Sequence, residues 1–362
     1  MKQQILKIAS SLGIEIIGFT SVLDYSYLKD LLTVRNDKDY NNEFEEQDIN
    51  KRFDVRYVFP KCKSIIAIGI PYAEGYKMPF TKDKGLLSVV SFGEDYHKKL
   101  NKILYNLAEE IKKHKSFEYT ICVDTSPLID KEISQKAGLG IHGKNTLLIN
   151  QDYGSFINLG YLLTDLEIEN SESIKFDVCC ECDICIKSCP NGAILKEGGL
   201  NSKKCVSYLT QTKHYIPIEY RKSMRNQIYG CDVCQIVCPQ NKLNSEKRTN
   251  YDYGELLIDL NELMNVSNND FIKAYGHLSG SWRGKNIWKR NGLIAIGNLS
   301  INSMYDIVKE ELDNPSEQIK IYAAWALLSL KNHKVKDLLN NKLKYEDDTI
   351  KQEYVKLMEL EL

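Results

Sequence analysis

The chain has no apolar run of membrane-spanning length, and its N-terminal apolar pattern is interrupted by Lys7 and Glu15. A spanning helix needs about 20 consecutive apolar residues and an export signal needs an unbroken apolar stretch, so both are excluded and a cytoplasmic location is expected, with no membrane partner. Net charge is also missing: 48 Lys and Arg against 49 Asp and Glu leave −1, so any polyanionic partner must be found in local charge rather than in the total. The eleven cysteines are an odd number in a long chain without an export signal, which argues against a disulfide framework. A hydrophobic content of 43% and a charged content of 27% are those of a folded globular protein, and 362 residues suit two or three domains.

Eight of the eleven cysteines form one ladder. Cys179, Cys182, Cys185, Cys189 and Pro190 make a C-x2-C-x2-C-x3-C-P run, and Cys205, Cys231, Cys234, Cys238 and Pro239 follow. In the bacterial ferredoxin pattern three thiolates of such a run hold one [4Fe–4S] cluster and the fourth crosses to a second. Short spacings let one loop wrap three iron corners, and the proline steers the chain away. The spacing therefore assigns Cys179, Cys182, Cys185 and Cys238 to one cluster, and Cys189, Cys205, Cys231 and Cys234 to the other. Zinc ribbons use two C-x2-C pairs instead of a triple run closed by C-P. Cys180 would break the two-residue spacing, and Cys62 and Cys122 flank apolar runs as buried thiols do.

The periodicity predicts a multidomain α+β protein. Residues 1–170 read as an α/β domain, with a helical stripe at Ile5, Ile8, Ala9 and Leu12 and strands at Ile14–Phe19, Ser64–Ile70 and Tyr119–Val123. Helices are expected over Asp95–Lys113 and 131–137, and a strand pair over Thr146–Ile149 and Phe156–Leu163 around a turn at 152–154. Residues 32–50 are polar and irregular and are expected to be a mobile loop. Residues 171–245 read as a ferredoxin-like cluster domain. From about 255 to 362 the pattern is helical. Asn286–Leu299 and Gln318–Leu330 look alike at a spacing of roughly 30 residues, which suggests a HEAT-like repeat, with an ordinary bundle as the alternative.

Three further segments could carry chemistry. Gly138-Leu-Gly140-Ile-His-Gly143-Lys144-Asn145 fits a glycine-rich phosphate loop by letters, but such loops lie between a strand and a helix, and here a helix precedes and a strand follows. Gly138 reads better as a helix C-cap, with Gly140 and Gly143 at close backbone approaches. Asp124, in Val123-Asp124-Thr125-Ser126-Pro127, ends a strand; it is either a helix N-cap or a carboxylic acid able to donate a proton if its surroundings raise its pKa. Between Phe271 and Tyr305 there is no acid, while Lys273, Arg283, Lys285, Lys289 and Arg290 alternate with Tyr275, Trp282 and Trp288. Cations neutralise phosphates and aromatic faces stack on unpaired bases, so this stretch could bind RNA, with Gln211, Lys213 and His214 extending the surface; a solvated helix over core tryptophans is the plainer reading.

The segment from Val123 to Leu163, the cysteine ladder, Cys205-Val-Ser-Tyr-Leu-Thr-Gln-Thr-Lys213, Tyr229-Gly-Cys231-Asp232 and Lys289-Arg-Asn-Gly-Leu-Ile-Ala-Ile-Gly-Asn298 together resemble the epoxyqueuosine reductase family, in the same order from about Ile5 to Leu330. The resemblance implies a cobalamin-binding α/β domain, two [4Fe–4S] clusters and a C-terminal HEAT-like tRNA-binding domain. It implies reduction of epoxyqueuosine to queuosine at the tRNA wobble position by a monomer fed by a low-potential electron donor. It makes Asp124 the proton donor and places Arg56, Asp124, Leu148, Leu159, Ser207 and Asp232 around cobalamin. It puts the anticodon stem–loop against Gln211, Lys213, Arg283, Lys285 and Arg290. Two other readings suit part of the pattern: a corrinoid reductive dehalogenase, which should carry an export signal, and an electron-carrier module, which leaves the N-terminal domain without a purpose.

Overall fold

The structure is a computed structural model that describes all residues except 23, 24, 74, 75, 77, 80, 173, 175, 177, 244–252, 361 and 362, with backbone only at 242, 243 and 253. Where the sequence suggested three successive blocks, the chain divides by compactness into two units of non-consecutive segments. The first is Met1–Lys77, Glu94–Cys205 and Asp232–Tyr251, and the second is Met78–Gly93, Val206–Cys231 and Asp252–Leu362. The cluster ladder is thus not a separate compact block, and its expected end near 245 lies outside the described residues.

The first unit is built on a four-stranded sheet in the order Ile16–Ser21, Ser64–Pro71, Ile157–Thr164, Tyr119–Cys122. Every pairing is antiparallel, so the expected α/β domain is an antiparallel sheet with helices on both faces rather than a wound parallel one. Successive side chains of a strand point to opposite faces. Ile66 and Ile68 accordingly meet Leu100, Leu104 and Leu107 of the helix Tyr96–Lys112 and Ile5 and Ala9 of Lys2–Ser11, while Ile65 and Ala67 meet Ile133 and Ala137 around the helix Asp130–Lys136. Two covered faces explain why Ile65 to Ile68 are fully buried.

One expectation in this unit holds in part and another fails. Of residues 32–50, 38–48 are irregular as expected, but helices cover the ends at Lys29–Asp37 and Ile49–Phe53, and Glu45 accepts from both Arg35 (3.0 and 2.9 Å) and Arg52 (3.0 Å). Arg35 also reaches Ser202 Oγ at 3.2 Å, so Arg35 and Glu45 of this segment are held in fixed pairs. Leu148–Ile149 does not pair with the strand after the turn at 152–154. It forms a hairpin with Ile141–His142, while Ile157–Thr164, apolar on both faces, is taken into the central sheet. The glycine-rich segment is the entry to that hairpin. Gly138, at φ 81°, ends the helix Asp130–Lys136, with Leu139 N bonded to Ser134 O at 2.9 Å and Gly138 N to Gln135 O at 3.0 Å.

The second unit holds a three-stranded sheet in the order Gln227–Tyr229, Lys84–Leu87, Leu257–Asp259, followed by helices to Glu359. The two look-alike segments are the helices Lys285–Leu299 and Glu317–Ser329, which pack on each other and are buried on nearly all sides. Among the described residues no helix is long and apolar enough to cross a membrane.

Candidate active site and cluster-binding thiols

Asp124 follows the strand Tyr119–Cys122 but caps no helix: the next helix starts at Asp130, with Ile129 at its cap position. Its backbone lies in the left-handed region at φ 57°, and Thr125 N bonds back to Val123 O at 2.6 Å, closing a γ-turn over Asp124. A non-glycine residue held there costs about 1–3 kcal/mol, strain of the kind that clusters at functional sites. The turn presents the side chain, 61% exposed, to two neighbours on the helix Tyr96–Lys112. Tyr96 Oη donates to Asp124 Oδ2 at 3.0 Å, and His97 Nε2 lies 3.4 Å from the same oxygen. Asp95 caps that helix through His97 N at 3.0 Å and meets His97 Nδ1 at 2.7 Å, so the imidazole is held between two carboxylates.

The electrostatics run against an isolated general acid. The hydrogen bond from His97 holds the Asp124 carboxyl below its usual range, Tyr96 adds to this, and partial desolvation opposes it. His97 is raised, first by Asp124 and then by Asp95. The proton shared by the pair therefore rests on the imidazole. Sequence reasoning singled out Asp124 and the Asp95-Tyr96-His97 segment but missed Asp130 and Lys131. Burial, with Asp124 adding, pushes Asp130 up to about 8, and its Oδ1 is buried without a hydrogen-bond partner among the described residues. Burial pushes the Lys131 ammonium down, against the pull of Cys234, Asp130 and Cys205.

Of the other residues placed at cobalamin, Leu148 is buried, Leu159 is half-buried and Asp232 is 3% exposed, all in the first unit. Arg56 is exposed and pairs with Asp54 at 2.7 Å. Ser207 belongs to the second unit, where its carbonyl accepts from Gln211 Nε2 at 2.9 Å.

Cys179, Cys182, Cys185 and Cys238 line one small cavity with Asn145, Ile149, Val178 and Pro239. Burial, then the neighbouring Cys179 and Cys238, raise Cys185. Four thiols converging on one cavity are a soft donor set of the number and kind that a cubane cluster takes. In the other set, Cys189 Sγ accepts from Ala193 N at 3.2 Å, Cys205 and Cys234 act electrostatically on Lys131, and Cys231 ends its segment of the second unit. Burial holds Cys62 up at about 11 and Cys122 at about 12, as inert core thiols, and Cys180 is exposed.

The basic stretch divides. Arg290 is 0% exposed, and its guanidinium donates to Thr212 O (2.5 Å), Leu209 O (2.9 Å) and Asn291 Oδ1 (3.0 Å). It cannot meet a phosphate, and its expected RNA contact is corrected to a packing role. Lys289 is likewise buried, against Glu311 at 2.6 Å. Arg283 is half-buried, donates to Gln211 O at 2.6 Å and lies 4.5 Å from the centre of the ring of Trp282, which is 57% exposed. Lys213 is exposed, and Lys285, half-buried, reaches Val266 O at 3.3 Å.

Within the first unit a polar clasp joins the central sheet to the second half of the ladder. Buried Asn241 accepts from Ser155 N at 2.7 Å and donates to Ser155 Oγ at 2.9 Å and Gln235 O at 2.8 Å. Gln235 in turn reaches Ser155 Oγ at 3.0 Å and Tyr72 Oη at 3.3 Å.

Comparison with known proteins bears on the cysteine ladder and on the family. Residues 178–241 match the family model described as a 4Fe-4S double cluster binding domain, and residues 52–125 match that described as epoxyqueuosine reductase QueG, DUF1730. An epoxyqueuosine reductase of Lactococcus garvieae is 38% identical over 340 residues, covering 92% of this chain and 97% of the relative. An epoxyqueuosine reductase crystallised with an epoxyqueuosine-modified tRNA-Tyr stem loop superposes with a TM-score of 0.92 at 34% identity, covering 99% of this chain and 98% of that one. One from Bacillus subtilis, solved with its catalytic aspartate loop swung out of the active site, superposes with a TM-score of 0.91 at 34% identity over the same shares. The chain belongs to the epoxyqueuosine reductase family.

Proposed function

We infer that this chain reduces epoxyqueuosine to queuosine in tRNA, with two [4Fe–4S] clusters, cobalamin and a proton held at Asp124. The observation that carries the reading is the occurrence, in one compact unit, of four convergent thiols and a strained aspartate turn gripped by Tyr96 and His97. Removing the epoxide oxygen to leave an alkene takes two electrons and two protons and releases water. When bound, the clusters supply electrons singly and cobalamin supplies the low-potential metal centre for the carbon–oxygen bonds. Cys179, Cys182, Cys185 and Cys238 would hold one cluster, and Cys189, Cys205, Cys231 and Cys234 the other. Leu148 and Leu159 would supply apolar contacts to the corrin, and Arg56, Ser207 and Asp232 polar ones.

The protein's own part is to hold and release protons. The exposed carboxylate of Asp124 is covered when substrate docks, and loss of water raises its affinity for a proton. The proton resting on His97 Nε2 then passes to Asp124 Oδ2, from which it reaches the departing oxygen, while Tyr96 keeps the carboxylate aimed. The RNA surface is assigned to Gln211, Lys213, Arg283 and Lys285, with the exposed ring of Trp282 as a stacking face. The paired helices Lys285–Leu299 and Glu317–Ser329 are read as a HEAT-like element behind it. The enzyme is taken to act as a cytoplasmic monomer served by a low-potential donor.

The test is anaerobic incubation of iron-loaded protein with cobalamin, a chemical reductant and epoxyqueuosine-containing tRNA. Nucleoside mass spectrometry should show loss of one oxygen. Protein that binds corrin and tRNA yet leaves the epoxide intact would refute the assignment.

A further inference from the structure

The glycine-rich segment after the helix Asp130–Lys136 carries a lysine held in one place. The hairpin Ile141–His142/Leu148–Ile149 closes its turn through Gly143 N to Leu147 O and Thr146 N to Gly143 O, both at 2.9 Å. At the tip, Lys144 N donates to Cys179 Sγ at 3.3 Å. The half-buried Lys144 ammonium donates to Cys180 O at 2.8 Å and Cys182 O at 3.0 Å. The next residue, Asn145, lines the four-thiol cavity and directs Nδ2 to Cys234 O at 3.5 Å. The neighbouring acid Asp183 is paired with Lys187 at 2.9 Å.

A cluster gains a negative charge when it is reduced. A fixed cation beside its ligand loop, and an N–H bonded to a ligand sulfur, both stabilise the reduced form more than the oxidised one. We propose that Lys144 is a positioning residue that sets the reduction potential of the cluster held by Cys179, Cys182, Cys185 and Cys238, making it easier to reduce than the same thiols would alone. The inference rests on the cluster assignment above. A unit charge acting over on the order of 10 Å in a medium of effective dielectric about 20 changes a one-electron equilibrium by a factor of about ten, and that is the size of effect expected.

The experiment is an anaerobic redox titration of the intact, cluster-loaded protein, followed by electron paramagnetic resonance, for wild type, Lys144→Gln and Lys144→Arg. Gln keeps a donor for the two carbonyls and loses the charge; both variants keep the backbone bond to Cys179. Lys144→Gln should lower the reduced-to-oxidised ratio of one cluster about tenfold at fixed potential, a shift of about 59 mV for a one-electron couple. The other cluster should not move, and Lys144→Arg should stay within about twofold of wild type. Full iron with an unmoved midpoint in Lys144→Gln overturns the proposal. Loss of one cluster's iron in Lys144→Gln but not in Lys144→Arg also overturns it, since the lysine would then be a strut. Wild-type protein with about one iron per chain would instead remove the cluster assignment itself.

Discussion

Arg290→Ala should destabilise the second unit rather than change an RNA contact. The guanidinium spans the carbonyls of Leu209 and Thr212 and the side chain of Asn291, which in turn donates to Thr210 O at 2.8 Å and Ile228 O at 2.7 Å. Alanine strands two buried carbonyls at about 1–3 kcal/mol each and leaves a cavity, offset by no longer burying a charge. Burial already pushes the guanidinium down to about 10, which still leaves it charged at neutral pH. The net loss comes to about 3–5 kcal/mol, which for a chain of this size lowers the melting midpoint by roughly 10 °C. Thermal unfolding of the cluster-loaded protein, followed by far-ultraviolet circular dichroism at one scan rate, measures it. Arg283→Ala, which removes the bond to Gln211 O and the guanidinium over Trp282, should cost about 1 kcal/mol or less. It should instead flatten the salt dependence of tRNA affinity by about one unit of log–log slope or slightly less. The reasoning fails if Arg290→Ala melts within about 2 °C of wild type while losing salt dependence, because Arg290 would then face solvent.

Cys185→Ser and Cys231→Ser should each lose four irons of the eight that two four-iron clusters hold, and destabilise the remaining cluster because the ligands interleave; full iron in either variant removes that residue from the ligand set. Asp124→Asn should keep iron and cobalamin but slow single-turnover reduction on the order of 10²-fold or more, and turnover within about threefold of wild type would send the search for the donor to Asp130. Because His97 is raised and Asp124 lowered by their mutual hydrogen bond, the shared proton should persist through the ordinary histidine value of about 6.5 and be lost only at higher pH. The stabilisation from His97 follows the same window: it is complete below the unfolded histidine value and lost as pH rises through the raised folded one. An alkaline limb of the rate profile that is unchanged in His97→Gln would show that the pair carries no catalytic proton.

The thiols were legible because cubane ligation is local: C-x2-C-x2-C fixes three corners whatever the rest of the chain does. Asp124 was legible only through resemblance. Its spacing equally suited a helix cap, and the left-handed turn that removes that option leaves no mark in Val123-Asp124-Thr125. Arg290 could not be read, since a cation at helical spacing looks the same whether it faces water or accepts a core position. What decides it is the arrival of Leu209 and Thr212, 81 and 78 residues away. The strand Lys84–Leu87 was missed for a similar reason. It is four residues long, and its partners Gln227–Tyr229 and Leu257–Asp259 are distant in the chain.

The clasp of Ser155, Gln235 and Asn241 gives iron a reach beyond electron transfer. Gln235 and Asn241 sit beside Cys234 and Cys238, so their positions are set by thiols whose metal-binding free energy is also folding free energy. Ser155 leads directly into Ile157–Thr164, an inner strand of the main sheet. Oxygen that strips the ladder of iron therefore loosens the sheet from one end. Air exposure should register as faster amide exchange and proteolytic nicking along that strand as well as bleached colour, so the metal content of a preparation sets its shelf life.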